Sequence, residues 1–340
     1  MEYLVFLVRR LLWSLLVLFG LSVVIFVIAR GMPGDPARMA LGPTASADQV
    51  AQLRETMGLD LPLVTQYVRY LGGLAQGDLG RSLLTGRSVS ADISDTFAAT
   101  FELVLATILI AFVVGLPLGV MAAQWKDRWP DNSIRLFALL SAVTPTFLLA
   151  LLLQILAGYV LHVLPTTGRL PIGAGFSADI TGLVTVDALL KGNWAILGEG
   201  LRHLILPAFA LAAASVGQVA LTTRASMIDV TSQDYVEAAR AFGVPERVRV
   251  LKYMLRPALV APMTILGLSF ASLIGNAFVV ELIFAWPGMA SYGVRTILQK
   301  DLNAVMGVVM VSGAFFVMVN LAIDVATGLI DPRVRLGGRS

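Results

Sequence analysis

The stretch DYVEAARAFGVPERV, residues 234–248, is charged and helix-forming, yet it stands in a 340-residue chain that is 57% hydrophobic. Asp234, Glu237, Arg240, Glu246 and Arg247 crowd into it, and Gly243-Val244-Pro245 interrupts its helical pattern. Such a segment is too polar to enter lipid. It therefore separates two long apolar runs, and that separation sets how the whole chain divides. Gly243 suits the left-handed position just past a helix end, and Pro245 suits the first turn of the next helix. Tyr235, Ala238, Ala239 and Phe242 fall on one face, flanked by Glu237 and Arg240. Two readings stay open: a solvated interfacial loop, or a rigid helix pair whose Ala-rich face fits a socket on a soluble partner.

Composition agrees with a membrane protein. Only 14% of the residues are charged, against about a quarter in a soluble domain, and the mean hydropathy is +0.81. The net charge of +3 is what Lys and Arg gathered in cytoplasmic loops produce. No basic patch is interleaved with aromatic residues, which argues against nucleic acid as a partner. The absence of cysteine excludes disulfides, iron–sulfur clusters and thiolate zinc sites. His162 and His203 are the only histidines and fall at outer span ends, so no metal site and no catalytic set is expected. A spanning helix needs about 20 apolar residues, and candidates lie at 11–29, 101–123, 134–161, 204–222, 257–284 and 304–329. Arg9 and Arg10 precede the first, but its apolar run outlasts the roughly 7–15 residues of a secretory signal; an uncleaved anchor is expected. Loop charge places both termini and the 226–256 segment on the cytoplasmic side. The expected organisation is a first span within 1–30, an outer loop domain over 31–100, a five-helix core over 101–329 and a tail over 330–340.

The outer loop has local helix signals. Ser46 with Gln49 makes a capping box ahead of a helix stopped by Gly58, and a second helix starts at Pro62 and ends on Gly72-Gly73. Within the spans, GLPLG at 115–119, Pro145 and Pro262 predict bends in the second, third and fifth. Gly267, Ala271 and Gly275 lie four apart, and Ser269, Ser272 and Asn276 add polar points to the same helix. This pattern fits tight helix packing, and equally the wall of a translocation path, to which Glu281 near the span end is added. Asp324 lies inside the sixth span, and Glu102 and Glu281 lie near span ends. A proton- or sodium-coupled transporter usually shows more intramembrane charge and paired broken helices. No phosphate-binding G-x-x-x-x-G-K-[ST] loop is present.

EAARAFG at 237–243 resembles the EAA loop of ABC import permeases, in which E-A-A-x-x-x-G precedes I-x-L-P. Here YMLRPAL at 253–259 stands in the place of I-x-L-P, a departure that is similar to the peptide-permease branch. PGDPA at 33–37, GDLGRS at 77–82, VELIFAWPGM at 280–289 followed by LQKD, and IDPRVR at 330–335 resemble the B-type subunits of dipeptide/oligopeptide permeases. The resemblance covers nearly the whole chain. It implies an all-α, six-span subunit with the type I ABC importer permease fold in the bacterial inner membrane, forming half of a pathway for short peptides. It implies a second related permease subunit as heterodimer partner, two ABC ATPase subunits that bind ATP and Mg²⁺, and an extracytoplasmic binding protein; this chain itself would hold no cofactor. Tyr235, Glu237, Ala238, Ala239, Arg240, Phe242 and Gly243 would form the coupling helix on an ATPase. Nickel complexes, glutathione or an opine-like solute are alternative cargoes, and a stand-alone secondary transporter is the alternative from another class.

Overall fold

Backbone N–H and C=O groups in hydrocarbon must pair within their own segment, which leaves helices as the available spanning structure for this chain. The computed structural model describes residues 2–31, 35–42 and 44–330, side chains at 2–7, 36, 39, 40, 271, 323, 324 and 326–330 excepted. Much of the PGDPA and IDPRVR segments, and the side chains of Ala271 and Asp324, therefore lie outside the described residues. The helices are α1 (Glu2–Gly31), α2 (Pro36–Leu41), α3 (Ala47–Thr56), α4 (Leu63–Ala75), α5 (Val89–Gln124), α6 (Trp129–Val143) and α7 (Thr146–Leu153), which continues as a π-helix over Gln154–Val160. They continue with α8 (Val184–Leu190), α9 (Trp194–Thr231), α10 (Asp234–Ala241) and α11 (Glu246–Val248). A π-turn over Arg249–Leu255 then leads into α12 (Arg256–Ala258), α13 (Val260–Ile283), α14 (Met289–Leu298) and α15 (Leu302–Ile330). Among the described residues the only β pairing is an isolated bridge between Arg81 and Ser88.

Among the described residues four helices are long and apolar enough to cross a membrane, and two bent pairs bring the number to six if each pair is one span. The third expected span is not one helix. α6 and the Thr146–Val160 segment meet at 108°, because Thr144 is extended ahead of Pro145 (φ −74°, ψ 122°). At about 1.5 Å per residue, the 15 residues of α6 fall short of a hydrocarbon core of about 30 Å. The fifth expected span bends by 49° between Ala258 and Val260. GLPLG does not interrupt its helix: α5 is continuous through Pro117.

The chain forms two units, one from residues up to Thr100 and from Pro287 onward, the other from Phe101 to Trp286. In the first, α1 packs on α15 through Ile25, Phe26, Ala29, Leu302, Val305, Met306 and Met310, and Tyr67, Tyr70 and Leu74 of α4 join that cluster. The outer loop expected as a separate domain thus shares its core with both terminal spans. Asp301 explains the join. Its wholly buried carboxylate accepts from Ser82 Oγ (2.6 Å) and the N–H groups of Leu83 (2.7 Å), Leu84 (3.1 Å) and Ala304 (3.2 Å), so it holds the 77–84 loop and caps α15 together. The Ser46–Gln49 capping box forms. α4 does not stop at Gly72-Gly73; a Cβ on Gly73 would sit 2.9 Å from the Asp78 carbonyl, so glycine there serves a close approach.

In the second unit, α9 is the axis, packed by α6, α7, α8 and α13. Of its most apolar window 72% is buried, against 17% for α1. A Cβ on Gly119 would lie 2.5 Å from both the Ala220 carbonyl and Thr223 Cβ, so α5 and α9 meet only because that side chain is missing. Gly119→Val should therefore cost about 1–3 kcal/mol or more through overpacking. Thermal unfolding of the detergent-solubilised chain checks this, with an unchanged midpoint excluding the close contact.

Candidate functional site

α10 ends as its sequence dictates. Gly243 has φ +74°, its N–H donates to the Arg240 carbonyl (3.1 Å), and the Val244 N–H donates to the Ala239 carbonyl (3.0 Å). These are the paired bonds of a Schellman C-cap. Nothing lies within 4 Å of a Cβ built on Gly243, so the glycine is needed for its backbone angle and not for space. Val236 is buried in a cluster with Met227 of α9, Val250 and Met254 of the π-turn, and Ala258 of α12, with Val120 and Ala123 of α5 packed against it. The helix pair is therefore fastened to the unit, and a freely solvated loop is not what the structure contains.

The face pointing away from that cluster differs from the expected one. Tyr235, Glu237, Ala238 and Arg240 are exposed, and Phe242 is 88% exposed. Ala239 is buried and turned inward with Val236. The outward face is thus Tyr235, Ala238 and Phe242, three residues at helical spacing, bordered by Glu237 and Arg240.

α13 also has two faces. Leu266, Leu273, Ile274, Ala277 and Val280 are buried, whereas Ser272, Gly275 and Asn276 are exposed and Gly267 and Ser269 are half-buried. Among the described residues nothing lies within 4 Å of a Cβ on Gly275, so at that position the small-residue stripe is not spent on packing against them. Ser272 Oγ donates to the Ser269 carbonyl (2.9 Å). Glu281, grouped with this face from the sequence, is wholly buried and belongs to the interior.

Several side chains that organise these surfaces carried no local sequence signal. Asp131, in the first turn of α6, is completely buried and takes a fork from Arg224 of α9 (2.6 and 2.7 Å) plus the Asp127 N–H (2.8 Å). This pair ties α6 to the stretch of α9 that leads to α10. At the other end of the unit, Glu102 pairs with Arg169 and accepts from the Thr185 N–H and hydroxyl (both 2.7 Å). Arg169 also lies over the Trp286 ring, 5.8 Å from its centroid. Burial pushes the Asp187 carboxyl up, but hydrogen bonds from Thr181 and Ile180 outweigh it and hold the group below its ordinary range. The Gly-rich 162–203 loop is shaped by these contacts. His203 is buried with Nδ1 2.8 Å from the Glu199 carbonyl, and His162 is exposed.

Arg224→Ala would leave the Asp131 carboxylate buried and uncompensated, at a cost of about 3–5 kcal/mol. Arg224→Lys restores charge but not the two-pronged geometry and should recover only part of the loss. Thermal unfolding of both variants tests this, and adding Asp131→Asn to Arg224→Ala should return part of the stability.

Residues 115–336 match the family described as "Binding-protein-dependent transport system inner membrane component", and residues 3–116 match "Binding-prot-dependent transport system membrane comp, N-term". The chain is 41% identical over 331 residues to the "Probable D,D-dipeptide transport system permease protein DdpB" of Escherichia coli (strain K12), covering 97% of each. It is 35% identical to the "Dipeptide transport system permease protein DppB" of Alkalihalophilus pseudofirmus, over 96% of this chain and 98% of that protein. It is 34% identical to the "Glutathione transport system permease protein GsiC" of Escherichia coli (strain K12), over 97% and 98%.

Proposed function

The chain belongs to the family of binding-protein-dependent transport system inner membrane components, and on that premise we propose that it is one of two related permease subunits of an ATP-driven ABC importer for short peptides. Two ATPase subunits bind ATP and Mg²⁺ on the cytoplasmic side, where both termini and α10 lie, and an extracytoplasmic binding protein delivers the cargo. The second permease subunit covers the exposed face of α13 at Ser272, Gly275 and Asn276, and the pathway runs between the two subunits along that face together with Gly267 and Ser269. Glutathione, itself a short peptide, is the second cargo reading, favoured by the GsiC relatives.

The observation that carries this reading is Phe242. A phenylalanine 88% exposed at the end of a helix whose other face is packed into the protein has the form of an anchor for a partner's pocket. α10 holds α9 through Val236 and Met227 and is joined to α13 through the π-turn and α12. Movement of the ATPases therefore displaces both helices. Phe242→Asp should leave folding and membrane level unchanged, because the side chain touches little within the chain. It should abolish co-purification of the ATPase subunits and uptake of a labelled dipeptide. Gly243→Val should weaken both less severely, since a Cβ at φ +74° costs roughly 1 kcal/mol or more. Retention of ATPase binding and uptake by Phe242→Asp overturns the coupling role, and glutathione competing better than dialanine for uptake selects the second cargo.

A further inference from the structure

The first unit contains a polar cavity that the transport reading does not use. It has a volume of about 350 Å³ and opens beside the last turn of α1, between Arg30, Gln66, Arg69, Tyr70, Asp78 and Asn303. Gln66 is only 7% exposed. Its Nε2 donates to the carbonyls of Leu59 (3.0 Å) and Leu61 (2.7 Å), and its Oε1 has no partner among the described residues. The Tyr70 hydroxyl and Arg30 Nε are likewise buried with no partner among the described residues. Each such buried group calls for an explanation, and three of the four among the described residues belong to side chains that line this one cavity. The Arg30 guanidinium lies over Phe26, 5.4 Å from the ring centroid. The cavity has two arginines and a single carboxylate, Asp78, whose Oδ1 accepts from the Gly80 N–H (2.9 Å).

The surroundings point to lipid. α1 is the least buried of the long spans, and Val23, Val24, Val27 and Ile28 lie exposed along it up to Arg30. α4 turns Gln66, Tyr67 and Tyr70 towards α1 and leaves Leu63, Val64 and Val68 exposed, Val64 at 74%. An apolar outward face on a short helix beside a span end fits a helix lying in the membrane interface. Acyl chains thus have an apolar surface that leads directly to the cavity mouth.

We propose that this cavity binds the headgroup of an amino-headed phospholipid, phosphatidylethanolamine in kind, from the leaflet opposite the N-terminus. The phosphodiester is held by Arg30 and Arg69 with the Tyr70 hydroxyl donating, and the ammonium is held by Gln66 Oε1 and Asp78. Burial and the neighbouring Tyr67 push the Tyr70 hydroxyl up to about 12, so it stays a donor across the physiological range. A bound headgroup pairs all three orphaned atoms and fixes α4 on α1.

The test is native mass spectrometry of the full chain in its detergent-purified complex. The complex is delipidated and then exposed separately to dioleoyl phosphatidylethanolamine, dioleoyl phosphatidylglycerol, inorganic phosphate and dialanine. The expected result is selective retention of phosphatidylethanolamine that neither phosphate nor dialanine displaces, with about a tenfold loss in Arg30→Met and in Gln66→Leu. Equal retention in wild type and variants overturns the site. Phosphatidylglycerol held as well as phosphatidylethanolamine overturns the amino head, occupancy by free phosphate overturns the lipid, and displacement by dialanine makes the cavity a peptide site. Where those variants do not accumulate, Arg69→Gln at the exposed rim carries the test: a clear drop in retained lipid supports the proposal and unchanged retention overturns it.

Discussion

A polar group that leaves water must find a partner, and the architecture follows from that requirement. It makes every spanning stretch helical, and it also decides where helices break and what holds their ends. Glu102, Asp131, Asp187 and Asp301 are buried, and each is surrounded by donors. Every one of them fastens a loop or a neighbouring helix to a helix end. Asp301 joins the 77–84 loop to α15, Asp131 joins α6 to α9, and Glu102 joins the 162–203 loop to α5. Gln154, a polar residue in an apolar helix, follows the same rule: its amide donates to the carbonyls of Thr166 and Ile283 (both 3.0 Å).

Against the pairing of these carboxylates, the groups left over acquire meaning. The outward face of α10 ends on a bare aromatic ring, the small and polar face of α13 meets nothing at Gly275, and three buried polar atoms converge on the cavity beside α1. In the proposed reading they take different partners: a soluble protein for the first, a second membrane subunit for the next and a lipid headgroup for the last. The chemistry differs because the surroundings do. Phe242 borders charged residues, Gly275 sits in an apolar span, and Arg30 stands where a span meets the interface.

Features within four residues of each other were legible in the sequence. The Ser46–Gln49 box and the Gly243 cap are set by local hydrogen bonds, and the structure contains both. What the sequence hides is the partner of a distant residue. Ser82 and Asp301 are 219 positions apart and Asp131 and Arg224 are 93 apart, and no periodicity connects them. The inward face of α10 was hidden for another reason. An eight-residue helix with Val236 on one side and alanines on several others has more than one plausible apolar face, and only the presence of Met227 and Met254 selects one. Pro145 gave a bend to sequence reasoning, but the 108° turn needed the extended Thr144 as well.

The attachment of α10 bears on how motion would pass through the proposed importer. Its link to α9 is direct packing of Val236 on Met227. α9 is a continuous helix of 38 residues, about 57 Å long at 1.5 Å per residue, and most of its apolar window is buried. Its link to α13 runs instead through the π-turn at Arg249–Leu255 and the 49° bend that follows α12. Irregular helical turns are common where a helix must yield. A push on α10 therefore reaches α9 as a rigid displacement and α13 as a change of angle. Because the open face at Ser272, Gly275 and Asn276 belongs to α13, a hinge before that helix re-aims the face, and the packing of Leu266 on α9 limits how far it turns.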